Sequence, residues 1–193
     1  MSDVTALILA GGRATRLGGI DKRELVIGGR TIFERQVAVL APRVAEIVVS
    51  SPRPVAGYRT VADAVADIGP LAGIAAGLAA CRTPWLLIIA GDMPHITGPV
   101  VDLLVSRIAA PDDAIGIRIG GLAEPLFCAL RCATCAPIVG LRIANEQRKV
   151  SRLLTDGDLH VRWIDDAELR AVDPEHRALF NVNAPDDLER ALT

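Results

Sequence analysis

Aromatic residues are scarce in this sequence, 3% of 193 residues, although hydrophobic residues make up 51%. The core it predicts is therefore aliphatic. Strong charge of one sign is also missing: the net charge is −2, so no global basic field exists to attract nucleic acid. No apolar run reaches the roughly 18 residues of a membrane span. The start, MSDVTALILAGG, lacks the basic segment of a secretory signal, and its apolar run leads into glycines. A cytoplasmic protein without nucleic-acid or membrane partners is expected. Internal repeats, low-complexity tracts and Ser-rich linkers are absent too, so residues 1–193 are expected to form one domain. Lysine is rare: of 21 Lys and Arg residues only Lys22 and Lys149 are Lys. A Lys at position 22, where Arg is this chain's usual cation, suggests a compact point charge for a phosphate.

The stretch that organises the rest is residues 6–22, ALILAGGRATRLGGIDK. Ala6, Leu7, Ile8 and Leu9 read as a buried parallel strand. It runs straight into Gly11-Gly12, Arg13, Arg16, Gly18-Gly19, Asp21 and Lys22. Glycines let backbone N–H groups approach an anion, and basic side chains neutralise it. Adjacent Gly11 and Gly12 do not fit the G-x-G-x-x-G dinucleotide fingerprint. The P-loop spacing fails as well, because Leu17 and Gly18 stand where Gly and Lys are required.

Further along, Thr31 and Glu34 have the spacing of a capping box for a helix to about Leu40, with Ile32, Phe33, Val37 and Leu40 as its buried face. Glu46–Val49 and Arg59–Ala62 read as strands. Residues 69–81, GPLAGIAAGLAAC, read as a helix with Pro70 in its first turn. Gly73 and Gly77 leave one face of it bare, for close packing against a strand or for a ligand. Trp85–Ala90 is the clearest strand, apolar throughout. Asp92 follows its carboxyl end, where open α/β sheets place ligands, and a carboxylate is a hard donor that suits Mg²⁺. A plain turn before a helix over 97–110 is the other reading of Asp92. Runs 114–119 and 122–130 around Gly120-Gly121 predict a β-hairpin. Helices over 131–147, 150–154 and 186–192 and a strand over 160–164 complete the pattern. Strand and helix alternate through the first half, which predicts an α/β fold of three layers with a mostly parallel sheet. The hairpin adds an antiparallel element in the second half.

The four cysteines are Cys81, Cys128, Cys132 and Cys135, and cytosolic thiols are expected to stay reduced. The last three have the spacing C-x-x-x-C-x-x-C, which could hold an iron–sulfur cluster, but small core residues in a strand and at a helix start explain them better.

The segments LAGGRATRLGGIDK, DIGPLAG, GDMP and FNVNAPDDL, spanning residues 9–188, resemble the molybdenum cofactor guanylyltransferases in the same order. That family of nucleotidyltransferases moves GMP from GTP to molybdopterin and releases pyrophosphate. The resemblance implies a Rossmann-like nucleotidyltransferase (GT-A-like) topology and Mg²⁺ as cofactor. By that resemblance, the backbone at Leu9, Ala10, Gly11 and Gly12 cradles the GTP phosphates, and Arg16 and Lys22 bind them. Ser50 falls near the base, Asp63 aligns with an acid that binds GTP, and Asp67 lies nearby. Asp92 matches the Mg²⁺ ligand, and Asn183 a polar residue facing that metal from the chain's last strand. Arg16, Lys22 and Asp92 are the implied catalytic set. None of the three histidines lies in the four segments, consistent with a nucleophile that is already an anion.

Two positions depart from the family pattern. Ser50 replaces a frequent Asn and offers one donor rather than two, so CTP stays open beside GTP. Glu124-Pro125 stands where His or Gln before Pro is usual, in the region that faces the acceptor, so a sugar phosphate or phospholactate stays open beside molybdopterin. A non-catalytic nucleotide-binding module is the rival from another class. A monomer or weak homo-oligomer is expected.

Overall fold

A computed structural model describes residues 3–10, 13–14, 20–62 and 68–192 of the chain. Its centre is a seven-stranded sheet, built from Val4–Leu9 (β1), Glu46–Ser50 (β6), Arg59–Val61 (β7), Trp85–Ala90 (β8), Ala114–Ile119 (β9), Leu122–Arg131 (β10) and Val161–Ile164 (β11). The order is β11-β9-β10-β8-β1-β6-β7. β8, β1, β6 and β7 are mutually parallel, and β11 is parallel to β9. β10 is the antiparallel strand, paired with β8 on one side and β9 on the other. The predicted hairpin is present, turning at Gly120 and Gly121, both at positive φ. It is built into the middle of the sheet rather than appended to its edge. Two short ladders lie outside the sheet: Arg13–Ala14 (β2) with Ile20–Asp21 (β3), and Val26–Ile27 (β4) with Arg30–Thr31 (β5).

Alternating side chains of the strands divide the core between two faces. Ala6, Ile8, Val49, Leu87 and Ile89 pack on one face, under Ile32–Leu40 (α1), Gly98–Ser106 (α3) and Asp166–Arg170 (α6). Leu7, Val48, Leu86, Ile88, Cys128 and Leu130 pack on the other, under Pro70–Ala80 (α2), Cys132–Ala144 (α4) and Val150–Thr155 (α5). β8 is buried along its whole length, as its unbroken apolar run predicts. Phe127 is the one aromatic among the largest fully buried side chains, so the core is aliphatic. The three-layer α/β fold of the expectation is present.

α1 starts with the predicted capping box: Glu34 N–H donates to Thr31 Oγ1 at 3.1 Å, and Thr31 N–H to Glu34 Oε2 at 2.8 Å. Such a cap contributes about 1 kcal/mol. The bare face of α2 is explained by packing. A Cβ on Gly77 would be driven into the Leu7 side chain of β1. Some boundaries differ from expectation. The helix over 97–110 stops at Ser106, and α4 stops at Ala144, where Asn145 caps it. Residues 180–184 form no strand, so the last strand of the chain is β11, and Asn183 lies in an irregular segment before Pro185–Leu192 (α7). No described helix is long and apolar enough to cross a membrane.

Candidate active site

β1, β6, β7 and β8 end level with one another: Leu9 is in register with Ser50 and with Ala90, and Ser50 with Val61. Hydrogen bonds continue one step past this edge. Ala10 N–H donates to Ser50 O at 2.8 Å, and Gly91 N–H donates to Leu9 O at 2.9 Å. The entry to the glycine loop is therefore fixed between the strand that ends at Ser50 and the turn that carries Asp92. Gly91 is required by this closeness. A Cβ there would lie 2.7 Å from Leu9 O and 3.4 Å from Ala10 Cα, both backbone atoms that cannot rotate away.

The turn after β8 is held from two further directions. Gln36 of α1 is fully buried, and its Nε2 donates to Ala90 O at 2.8 Å and to Met93 O at 3.0 Å. Val182 N–H donates to Asp92 O at 2.9 Å. This bond ties the segment with Asn183 directly to Asp92. Asn183 N–H and Ala184 N–H both donate to Asp187 Oδ2 at 2.9 Å, which sets the turn into α7. Val182 also packs in a small cluster with Leu25, Ile27 and Ile32. The backbone of Lys22 starts the short 3-10 turn Lys22–Glu24 just before that cluster. The segment that follows the glycine loop, the Asn183 segment and Asp92 are thus joined at one edge of the sheet.

Of the sequence-predicted residues, Leu9, Ala10, Ser50, Asp92 and Asn183 come together at this edge. Ser50 is buried at 2% exposure, with its carbonyl accepting from Ala10. Gly11, Gly12, Arg16, Asp63, Asp67 and the Lys22 side chain lie outside the described residues. The expectation that Asn183 stands on the last strand is corrected: it reaches the site from an irregular segment tied to Asp92 O through Val182 N–H.

Two residues gain a place that sequence reasoning did not assign. Gln36 is buried where Phe33 and Val37, the expected face of α1, are only partly buried. Its signal was a polar residue midway between Ile32 and Leu40 on the buried stripe of α1. Glu124 lies on β10. Its carboxyl lies near enough to Asp92 for the charge of Asp92 to act on it. Burial raises the Glu124 carboxyl above the usual carboxylate range, its hydrogen bond from Leu126 N–H opposes this, and the negative charge of Asp92 adds to the rise. The acceptor-side departure from the family pattern therefore also lies within electrostatic reach of the predicted metal ligand. His95, next along from the turn, lies 6.0 Å from the Phe180 ring, and burial together with Arg177 and Arg35 lowers its pKa.

Asp92, Asn183 and Glu124 supply hard oxygen donors, the kind that suits Mg²⁺ rather than a soft transition metal. Among the described residues there is no group of three or more His, Cys, Asp or Glu arranged to hold a metal by itself.

The family model for the MobA-like NTP transferase domain matches residues 6–161. A molybdenum cofactor guanylyltransferase of Polynucleobacter asymbioticus is 34% identical, with 97% of this chain and 94% of that protein covered. A probable molybdenum cofactor guanylyltransferase of Chloroflexus aggregans is 34% identical, covering 96% and 92%. Among solved structures, molybdopterin-guanine dinucleotide biosynthesis protein A of Archaeoglobus fulgidus superposes with a TM-score of 0.80 at 25% identity, covering 97% of this chain and 96% of that one. The 2-C-methyl-D-erythritol 4-phosphate cytidylyltransferase of Thermus thermophilus shares the fold, with a TM-score of 0.70 at 17% identity over 96% of each chain. With its glycine-led edge, its Gly91-Asp92 turn and these matches over most of its length, the chain belongs to the MobA-like NTP transferase family of nucleotidyltransferases.

Proposed function

We infer that this enzyme transfers GMP from GTP to molybdopterin, forming molybdopterin guanine dinucleotide and releasing pyrophosphate. Residues 1–193 act as one nucleotidyltransferase domain. The observation that carries the reading is the junction of Leu9 O with Gly91 N–H, which sets Asp92 beside the entry to the glycine loop. Relatives named for this reaction, covered almost end to end, support the choice of nucleotide and acceptor.

In this reading the backbone from Leu9 to Gly12 receives the triphosphate, and Arg16 and Lys22 neutralise it. Ser50 is assigned to the base, and Asp63 and Asp67 to binding the nucleotide. Asp92 and Asn183 would hold Mg²⁺, with Glu124 adding negative charge from β10. The bound cation supplies charge neutralisation on phosphate oxygens. The terminal phosphate of the acceptor attacks the α-phosphorus in line, and pyrophosphate leaves toward Lys22 and the loop N–H groups. The nucleophile is already anionic, so positioning and electrostatics, rather than a general base, lower the barrier.

The test is pyrophosphate release from GTP, CTP and UTP, each with and without molybdopterin. The expected result is release from GTP only when molybdopterin is present. Release from CTP instead would overturn the base assignment, and nucleotide binding without release would overturn catalysis.

A further inference from the structure

Nucleotidyl transfer as read above needs Lys22 and Asp92 held in fixed relation, yet they sit on separate stretches of chain. One helix bonds to both stretches. Gln36 of α1 donates to Ala90 O and Met93 O, on either side of Asp92. Its neighbour Arg35 donates from Nε to Ile27 O at 2.9 Å. Ile27 ends β4, in the hairpin that follows the turn Lys22–Glu24.

The hairpin does not need Arg35 in order to close. Val26 pairs with Thr31 and Ile27 with Arg30, and Gly28 and Gly29 turn between them at φ 57° and 81°. The Arg35 bond instead ties the closed hairpin to the helix. The guanidinium lies against the turn itself: a Cβ on Gly28 would stand 2.7 Å from Arg35 Nη2. Ile32 N–H, earlier on α1, donates to Leu25 O at 3.0 Å. α1 therefore holds the chain just after Lys22 at two carbonyls, Leu25 O and Ile27 O. Leu25 and Ile27 are buried in the cluster that also holds Ile32 and Val182. Val182 N–H in turn donates to Asp92 O. The hairpin braced by Arg35 is thus the packing surface for the segment bonded to Asp92.

We propose that Arg35 is a positioning residue for nucleotidyl transfer: through Ile27 O it fixes the chain that carries Lys22 against the turn that carries Asp92. This role rests on the reading of Lys22 as a phosphate ligand, and Arg35 acts through Lys22 rather than on the substrate. An arginine suits the task because its planar guanidinium presents its donors in a fixed direction. A lysine there keeps a donor and a charge but loses that direction.

The experiment is calorimetric titration of GTP, with Mg²⁺ present, into wild type, Arg35→Met, Lys22→Met and the double variant, with urea midpoints measured alongside. Methionine at position 35 removes the donors and keeps an apolar stem. The expected result is GTP binding about tenfold weaker in Arg35→Met, with most of that loss gone when Lys22→Met is already in place. Arg35→Lys should recover part of the affinity. Equal losses from Arg35→Met in both backgrounds are what a merely structural role gives, and they would overturn the proposal, as would unchanged affinity. Should Arg35→Met fail to fold, Arg35→Lys carries the same comparison in the two backgrounds. A wild-type protein that does not bind GTP would overturn the proposed function and this role with it; equal losses in a protein that binds GTP overturn the role alone.

Discussion

Gln36→Leu separates the holding of the active-site turn from the stability of the fold. The substitution removes both donors that Gln36 Nε2 makes to Ala90 O and Met93 O. Ala90 O keeps a longer donor, Met93 N–H at 3.4 Å, while Met93 O loses its amide. A buried acceptor left without a donor costs about 1–3 kcal/mol. Against this stands Gln36 Oε1, which is already buried without a partner. Leucine removes that orphan and offsets a similar amount. The net change in stability should therefore stay within about 1 kcal/mol, a shift in melting temperature below about 4 °C for a chain of this size. The turn bearing Asp92 loses its brace from α1, and a displacement of ~1 Å there reduces turnover about 100-fold. Urea denaturation and pyrophosphate release at saturating GTP and molybdopterin measure the two effects. Turnover within twofold of wild type, or a loss of activity fully explained by unfolding, would refute the reasoning.

Gly91→Ala forces a Cβ to 2.7 Å from Leu9 O. It should lower stability by about 1–3 kcal/mol in a melt and lower turnover of the folded enzyme further, because the shift falls at Asp92. His95 has a pKa lowered by burial first and then by Arg177 and Arg35. The unfolded chain takes up that proton near pH ~6.5, before the native state does, so stability falls as pH drops through that value toward the lowered pKa. Urea midpoints at pH 7.5 and 5.5 should show a smaller difference in His95→Gln than in wild type. Glu124→Gln removes the charge repulsion with Asp92. The metal-free protein should melt at a higher temperature, while the Mg²⁺ needed for half-maximal activity should rise several-fold; no change in either would show that Glu124 and Asp92 act apart.

Local chemistry made much of the fold legible. The unbroken apolar run of β8 and the Thr31–Glu34 capping box each carry their signal within a few residues. What escaped was non-local. Gly120-Gly121 marks a hairpin, but nothing nearby in sequence tells β10 to insert between β8 and β9; that is decided by which strands bury the most surface together. The resemblance implies a last strand at Asn183, yet Val182 has a bond to Asp92 O rather than a ladder, and Pro185 follows at once. The site was legible where a residue stands at the end of a buried strand, as Leu9 and Ser50 do, or just beyond it, as Asp92 does. Gln36 was not, because its role depends on two carbonyls more than 50 residues away.

The central claim is that the glycine loop and Asp92 serve one triphosphate and its cation. Calorimetric titration of GTP, with and without Mg²⁺, into wild type and Asp92→Ala tests it most directly. The account predicts that Mg²⁺ tightens GTP binding in wild type and that this gain disappears in Asp92→Ala, while metal-free binding persists. An equal gain from Mg²⁺ in both proteins would contradict it.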